Sequence, residues 1–136
     1  MIAIDTNILI RLLVDDKGQP EQVEAARERV KKEGAVFIPQ IVQVETVWVL
    51  ESAYNLSRKQ ISPVLGHLDS NAAFTLQNRS SFQKAMNLFI QGNGDFSDFL
   101  ILAESQRENL KLLTFDKKLS KQAGVVLAQS VESPRA

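Results

Sequence analysis

Apolar and polar positions follow two rhythms along the chain. Short apolar, β-type runs occur at Ile2–Ile4, Val36–Ile38, Ala73–Leu76, Leu112–Phe115 and Val125–Leu127, each of strand length. Between them the spacing predicts helices over Asn7–Val14, Pro20–Glu33, Ile41–Tyr54, Arg58–Ser70, Ser80–Gln91, Asp98–Glu108 and Asp116–Gln122. The punctuation agrees: Pro20 suits a first helical position, Ser57 an N-cap and Gly34 the residue after a helix. Short strands alternating with helices predict an α/β fold, with a parallel sheet covered on both faces. No repeat, low-complexity tract or linker divides the chain, so one domain is expected over 1–128, followed by a polar tail over 129–136.

In such sheets ligands bind outside the carboxyl ends of the strands, which directs attention to the acids there. Asp5 directly follows the first strand, in Ile4-Asp5-Thr6-Asn7, where it also suits a helix cap. Asp116 follows the fourth strand and suits the cap of a short basic helix. Glu45 lies in Ile41-Val42-Gln43-Val44-Glu45-Thr46-Val47-Trp48-Val49-Leu50. At about 100° per residue its wheel neighbours are Ile41 and Trp48 on one side and Val42 and Val49 on the other. That reading puts Glu45 within the apolar face and Gln43 and Thr46 on the polar side. A carboxylate so placed needs an Arg partner, a proton or a cation. Asp95 and Asp98 open the sixth predicted helix as a capping box would, yet Asp98 falls between Ile101 and Leu102 on the shoulder of the buried face. Two carboxylates three residues apart on a helix repel unless a cation lies between them.

Composition narrows the chemistry. The 136 residues contain 16 basic and 16 acidic side chains, for a formal net charge of zero. This argues against holding nucleic acid or anionic membrane by bulk charge. With no Cys, disulfides, thiolate sites and thiol nucleophiles are excluded, and with His67 alone so is any pair of imidazoles. If the acids converge, their counter-charge is a divalent ion. All-oxygen ligation selects Mg²⁺, with Mn²⁺ as substitute, over Zn²⁺. No run approaches the roughly 20 apolar residues of a membrane span, and the N-terminal segment lacks the basic start of a signal peptide. The expected location is cytoplasmic.

Taken in order, Ile4-Asp5-Thr6-Asn7, Val44-Glu45, Phe96-Ser97-Asp98-Phe99-Leu100-Ile101 and Leu113-Thr114-Phe115-Asp116 resemble a PIN domain. More narrowly, they resemble the VapC-type ribonuclease toxins of toxin–antitoxin pairs, over essentially the whole chain. The resemblance implies a three-layer α/β/α fold around a central parallel five-stranded sheet, often dimeric. It implies that Asp5, Glu45, Asp98 and Asp116 form an acidic quartet binding Mg²⁺, with Asp95 as an additional acid. Thr6, Asn7 and Thr114 match positions that orient the carboxylates or a water. The implied activity is a Mg²⁺-dependent endoribonuclease that hydrolyses RNA by metal-activated water, leaving a 5′-phosphate and a 3′-hydroxyl. The implied partners are RNA, a VapB-like antitoxin whose tail enters the acidic groove, and a second copy of the chain. Four carboxylates balance two divalent ions, while one ion suffices if Glu45 is protonated or acts as a base.

Arg11, Lys117 and Lys118 are candidate RNA contacts, with Arg58, Lys59, Arg79 and Lys121 as further cations; a solvated helix face is the better account of most of them. His67 reads as a helix surface residue, and Trp48 as core or as a dimer or antitoxin surface. Two other functions fit less well. A phosphoryl-transfer enzyme of dehalogenase type needs a second Asp where this chain has Asn7, and one of receiver type needs a Lys near Val125-Val126-Leu127-Ala128. A PIN-like protein that binds RNA or a partner without cutting leaves the repulsion among the acids without an offset.

Overall fold

The structure is a computed structural model that describes residues 1–129. The tail expected over 129–136 therefore lies, from residue 130 onward, outside the described residues. The strands are β1 (Ile2–Ala3), β2 (Val36–Ile38), β3 (Phe74–Leu76), β4 (Leu112–Thr114) and β5 (Val125–Leu127). The helices are α1 (Thr6–Leu13), α2 (Pro20–Glu33), α3 (Gln40–Ser52), α4 (Arg58–Ser70), α5 (Arg79–Gln91) and α6 (Phe96–Arg107). All five expected strands form, and every pairing is parallel.

Local chemistry explains the boundaries. Pro20 is the first residue of α2, and Gly34 closes that helix at a φ of 80°, a conformation costly for a residue with a Cβ. Ser57 caps α4 through a reciprocal box: its hydroxyl accepts from the Gln60 N–H at 3.2 Å, and the Gln60 side chain accepts from the Ser57 N–H at 2.9 Å. The helix expected over Asp116–Gln122 is reduced to one 3-10 turn at Leu119–Lys121. The Asp116 carboxylate accepts from the N–H groups of Lys118 and Leu119, which favours a tight turn over a longer helix.

The sheet divides in two. β1, β2 and β3 form one set, in that order, and β4 pairs with β5 in another, so the five strands do not make one continuous ladder. β1 contributes only two residues because the chain turns at Asp5 to begin α1. Ile2 is exposed on β1, as are Leu113 and Val126 on the outer face of β4–β5 and Phe115 just after β4.

The core lies between the first sheet and helices α1 and α3 to α6. Leu50, Ile61, Phe82 and Phe89 are fully buried, and Phe96 packs edge-on against Phe82 and Phe89, with centroids 5.7 and 6.2 Å away. These rings anchor the start of α6, which carries the candidate acids. Among the described residues no helix is long and apolar enough to cross a membrane. Replacing Phe82 with Ala would leave a cavity beneath α6 and should lower unfolding free energy by about 3–5 kcal/mol in a urea titration.

Candidate active site

Asp5 leaves β1 in extended backbone and caps α1, its Oδ1 accepting from the Ile8 N–H at 3.0 Å. The cap and the candidate ligand are one residue, since a cap uses a single carboxylate oxygen. Thr6 donates its hydroxyl to Glu45 Oε1 at 2.8 Å, tying α1 to α3. Asn7 shares with Asp5 the wall of a cavity of about 720 Å³ between α1 and α2.

The helical-wheel reading of α3 is reversed. Gln43 and Thr46, assigned to the polar side, are buried at 1% and 0% exposure, whereas Ile41 and Trp48 stand 70% and 65% exposed beside an exposed Glu45. α3 carries apolar residues around most of its circumference, so the apolar pattern does not select a face. Backbone demand selects it: the Gln43 amide donates to the carbonyls of Ile38 and Gln77, just where β2 and β3 end. The Gln43 nitrogen is satisfied in this way, whereas its Oε1 and the Thr46 hydroxyl are buried without a partner among the described residues. Glu45 thus owes its position to Thr6 and not to burial.

At the start of α6 the capping box does not form. Asp95 occupies the N-cap position, but its side chain accepts no capping hydrogen bond, and Asp98 is half-buried in the first turn. Partial desolvation, and then the charges of Asp95 and Asp116, hold the Asp98 carboxyl above its ordinary value. Thr114 accepts the Asp116 N–H through its hydroxyl at 3.0 Å, which fixes the turn after β4. Glu45 and Asp95 line one cavity of about 390 Å³ with Val44, Trp48 and Glu51. Glu51 also titrates high, from desolvation and from Asp95, against the opposing charge of Arg58. Sequence reasoning passed over Glu51, because it follows Glu45 by six positions, about 120° around the helix.

The cations divide clearly. Arg11, a candidate RNA contact, is committed internally: its Nε donates to Gln22 and its Nη1 to the Tyr54 hydroxyl, beside Asp16 at 3.7 Å. Arg79 likewise bonds Asp69 and the carbonyls of Asp69 and Phe74. Lys117 and Lys118 are exposed beside Asp116 and join no ion pair among the described residues. His67 is exposed and packs edge-on against Phe74.

Other acids provide a contrast. The Gly18 N–H, the Tyr54 hydroxyl and Arg11 hold Asp16 below the usual carboxylate range. The Ser81 hydroxyl and Arg107 do the same for Glu104. Asp5, Glu45, Asp95, Asp98 and Asp116 have no basic partner among the described residues. As placed, no three acidic or imidazole groups among those residues stand close enough to hold an ion. The donor set itself fits a hard divalent cation: it is all oxygen, lacks ion pairs and crowds Asp98 with like charge.

A carboxyl whose folded pKa lies above its unfolded one binds more protons folded than unfolded between the two values. Its contribution to stability is therefore largest below the unfolded pKa of 3.8 and is lost as pH rises through the folded pKa. Asp98→Asn should accordingly raise Tm at pH 7 by about 1–2 °C after allowance for solvent screening. In thermal melts from pH 7 downward, the gain should close as pH approaches 3.8.

Comparison with known proteins places the whole chain. The chain is 24% identical over 123 residues to a VapC ribonuclease of Aquifex aeolicus (strain VF5), an alignment covering 89% of this chain and 91% of that protein. A PIN domain family model matches residues 2–125, which include Asp5, Glu45, Asp95, Asp98 and Asp116. By that match the chain belongs to the PIN domain family.

Proposed function

We propose that the protein is a Mg²⁺-dependent endoribonuclease, the toxin of a VapBC-type toxin–antitoxin pair. The observation that carries this reading is the set of acids without basic partners, delivered by the ends of β1 and β4, the side of α3 and the start of α6. Asp98 is crowded there by Asp95 and Asp116. The name of the Aquifex relative points the same way. Mn²⁺ is the expected substitute for Mg²⁺.

In this reading Asp5, Asp98 and Asp116 hold the ion, with Asp95 and Glu45 adjoining. When bound, the ion supplies Lewis acidity toward the scissile phosphate and lowers the pKa of a water. Thr6 keeps one oxygen of Glu45 fixed, so the carboxylate is oriented to accept a proton from the attacking water. Asp5 is held by the helix it caps, and the turn secured by Thr114 presents Asp116. Asn7, exposed beside Asp5, is positioned to orient a water or the substrate. Lys117 and Lys118, which follow Asp116 and join no ion pair among the described residues, are assigned to RNA phosphates; Arg11 is withdrawn from that role. A cavity of about 600 Å³ between α3 and α6 is lined by Ile41, Val44, Ile101 and Leu110, and exposed Trp48 lines the neighbouring cavity with Glu45 and Asp95. Apolar surface of that kind supports protein partners, here a second copy and a VapB-like antitoxin in the cytoplasm.

Asp5→Asn and Asp98→Asn should each reduce cleavage of a purified tRNA and mRNA panel at least about a hundredfold and relieve growth arrest on expression. EDTA should stop the wild-type reaction, and Mg²⁺ or Mn²⁺ should restore it. Unchanged cleavage in both variants would sink the proposal.

A further inference from the structure

We infer that Arg58 is a positioning residue that sets the entry of α6, and with it Asp95 and Asp98, by joining the end of α5 to the turn that follows. Arg58 is the first residue of α4, and the Ser57–Gln60 box fixes its backbone. Its Nη1 donates to the Phe89 carbonyl at 2.8 Å and its Nη2 to the Gly94 carbonyl at 2.6 Å. The guanidinium also lies over the Phe89 ring, 4.2 Å from its centroid. Phe89 belongs to the last turn of α5, whose carbonyls lack helical donors. Gly94 immediately precedes Asp95. One planar cation therefore bridges a helix end and the start of the next across residues 92–95.

The opposite side of this turn is closed by packing. A Cβ on Gly94 would come within 2.6 Å of the Phe99 ring, so the backbone is pressed against the first turn of α6. Phe96 is locked between Phe82 and Phe89. Neither Asp95 nor Asp98 is held by a capping bond. The placement of their carboxylates thus depends on the backbone path through residues 92–95, and Arg58 is the side chain that grips it. Two of its five N–H donors and one face of the guanidinium are committed to this turn, which fixes the orientation of the group. Lys cannot substitute, because an ammonium offers a point charge in place of a fork spanning two carbonyls.

This inference rests on reading the acidic end as a divalent-ion site, so its test includes a control for that reading. Arg58→Gln, Arg58→Lys and Asp98→Asn are compared with the wild-type full chain, without RNA. Mn²⁺ binding is read by calorimetry and hydrogen exchange by mass spectrometry. Both Arg58 variants should bind Mn²⁺ about tenfold more weakly, the loss typical when a group supporting metal ligands is removed. Amides of residues 92–97 should exchange faster in both, while β1, α1 and α3 stay protected. A purely stabilising Arg would lower Tm without changing ion affinity well below the melt. If Asp98→Asn loses Mn²⁺ while both Arg58 variants keep wild-type affinity and exchange, the positioning role is wrong and the ion site stands. If Asp98→Asn binds Mn²⁺ like wild type, the ion site is wrong. Exchange at 92–97 then decides for Arg58, and an unchanged pattern overturns the inference. Should Arg58→Gln fail to fold, Arg58→Lys carries the comparison.

Discussion

Like charges gathered without a counter-charge raise the free energy of the folded state, and the rest of the molecule must hold them in place. Asp98 sits under the influence of Asp95 and Asp116, and no Arg or Lys among the described residues pairs with any of the three. Elsewhere among the described residues four acids pair with Arg: Asp16 with Arg11, Glu33 with Arg29, Asp69 with Arg79 and Glu104 with Arg107. Others, such as Glu21, Glu24 and Glu28 on α2, join no ion pair there but stand exposed to water. Asp98 differs in being partly desolvated as well as facing like charge.

The backbone bears that charge with devices that are ordinary one by one. Asp5 is held by the helix that it caps, Glu45 by the Thr6 hydroxyl, and Asp116 by a turn closed on Thr114. Around α6 the devices are larger: three aromatic rings beneath its first turn, a glycine pressed on Phe99, and the Arg58 guanidinium across the preceding turn. None of these contacts lowers the charge density. They restrict where it can go.

Much of this was legible in the sequence, and the failures share a cause. Strands and helices could be placed closely because Pro20, Gly34 and the Ser57–Gln60 box act locally, within reach of a reading that sees only neighbours. The acids at strand ends were legible for the same reason. The inward face of α3 was not, because it is chosen by the Ile38 and Gln77 carbonyls that Gln43 serves, and Gln77 is 34 residues away. Arg11 looked like a free cation until Gln22, Tyr54 and Asp16 came to it through the fold. The division of the sheet was equally hidden, since strand pairing is set by residues far apart in the chain.

That division has a consequence for the molecule in solution. Two separate sheets present four outer edges where one continuous sheet would present two, and the surplus edges lie near exposed Ile2, Leu113, Phe115 and Val126. Free edges invite strand addition from other chains. Here each edge is only two or three residues long, too short a template to hold a stranger firmly or to propagate a fibril. Division of the sheet thus multiplies its edges without creating a long one.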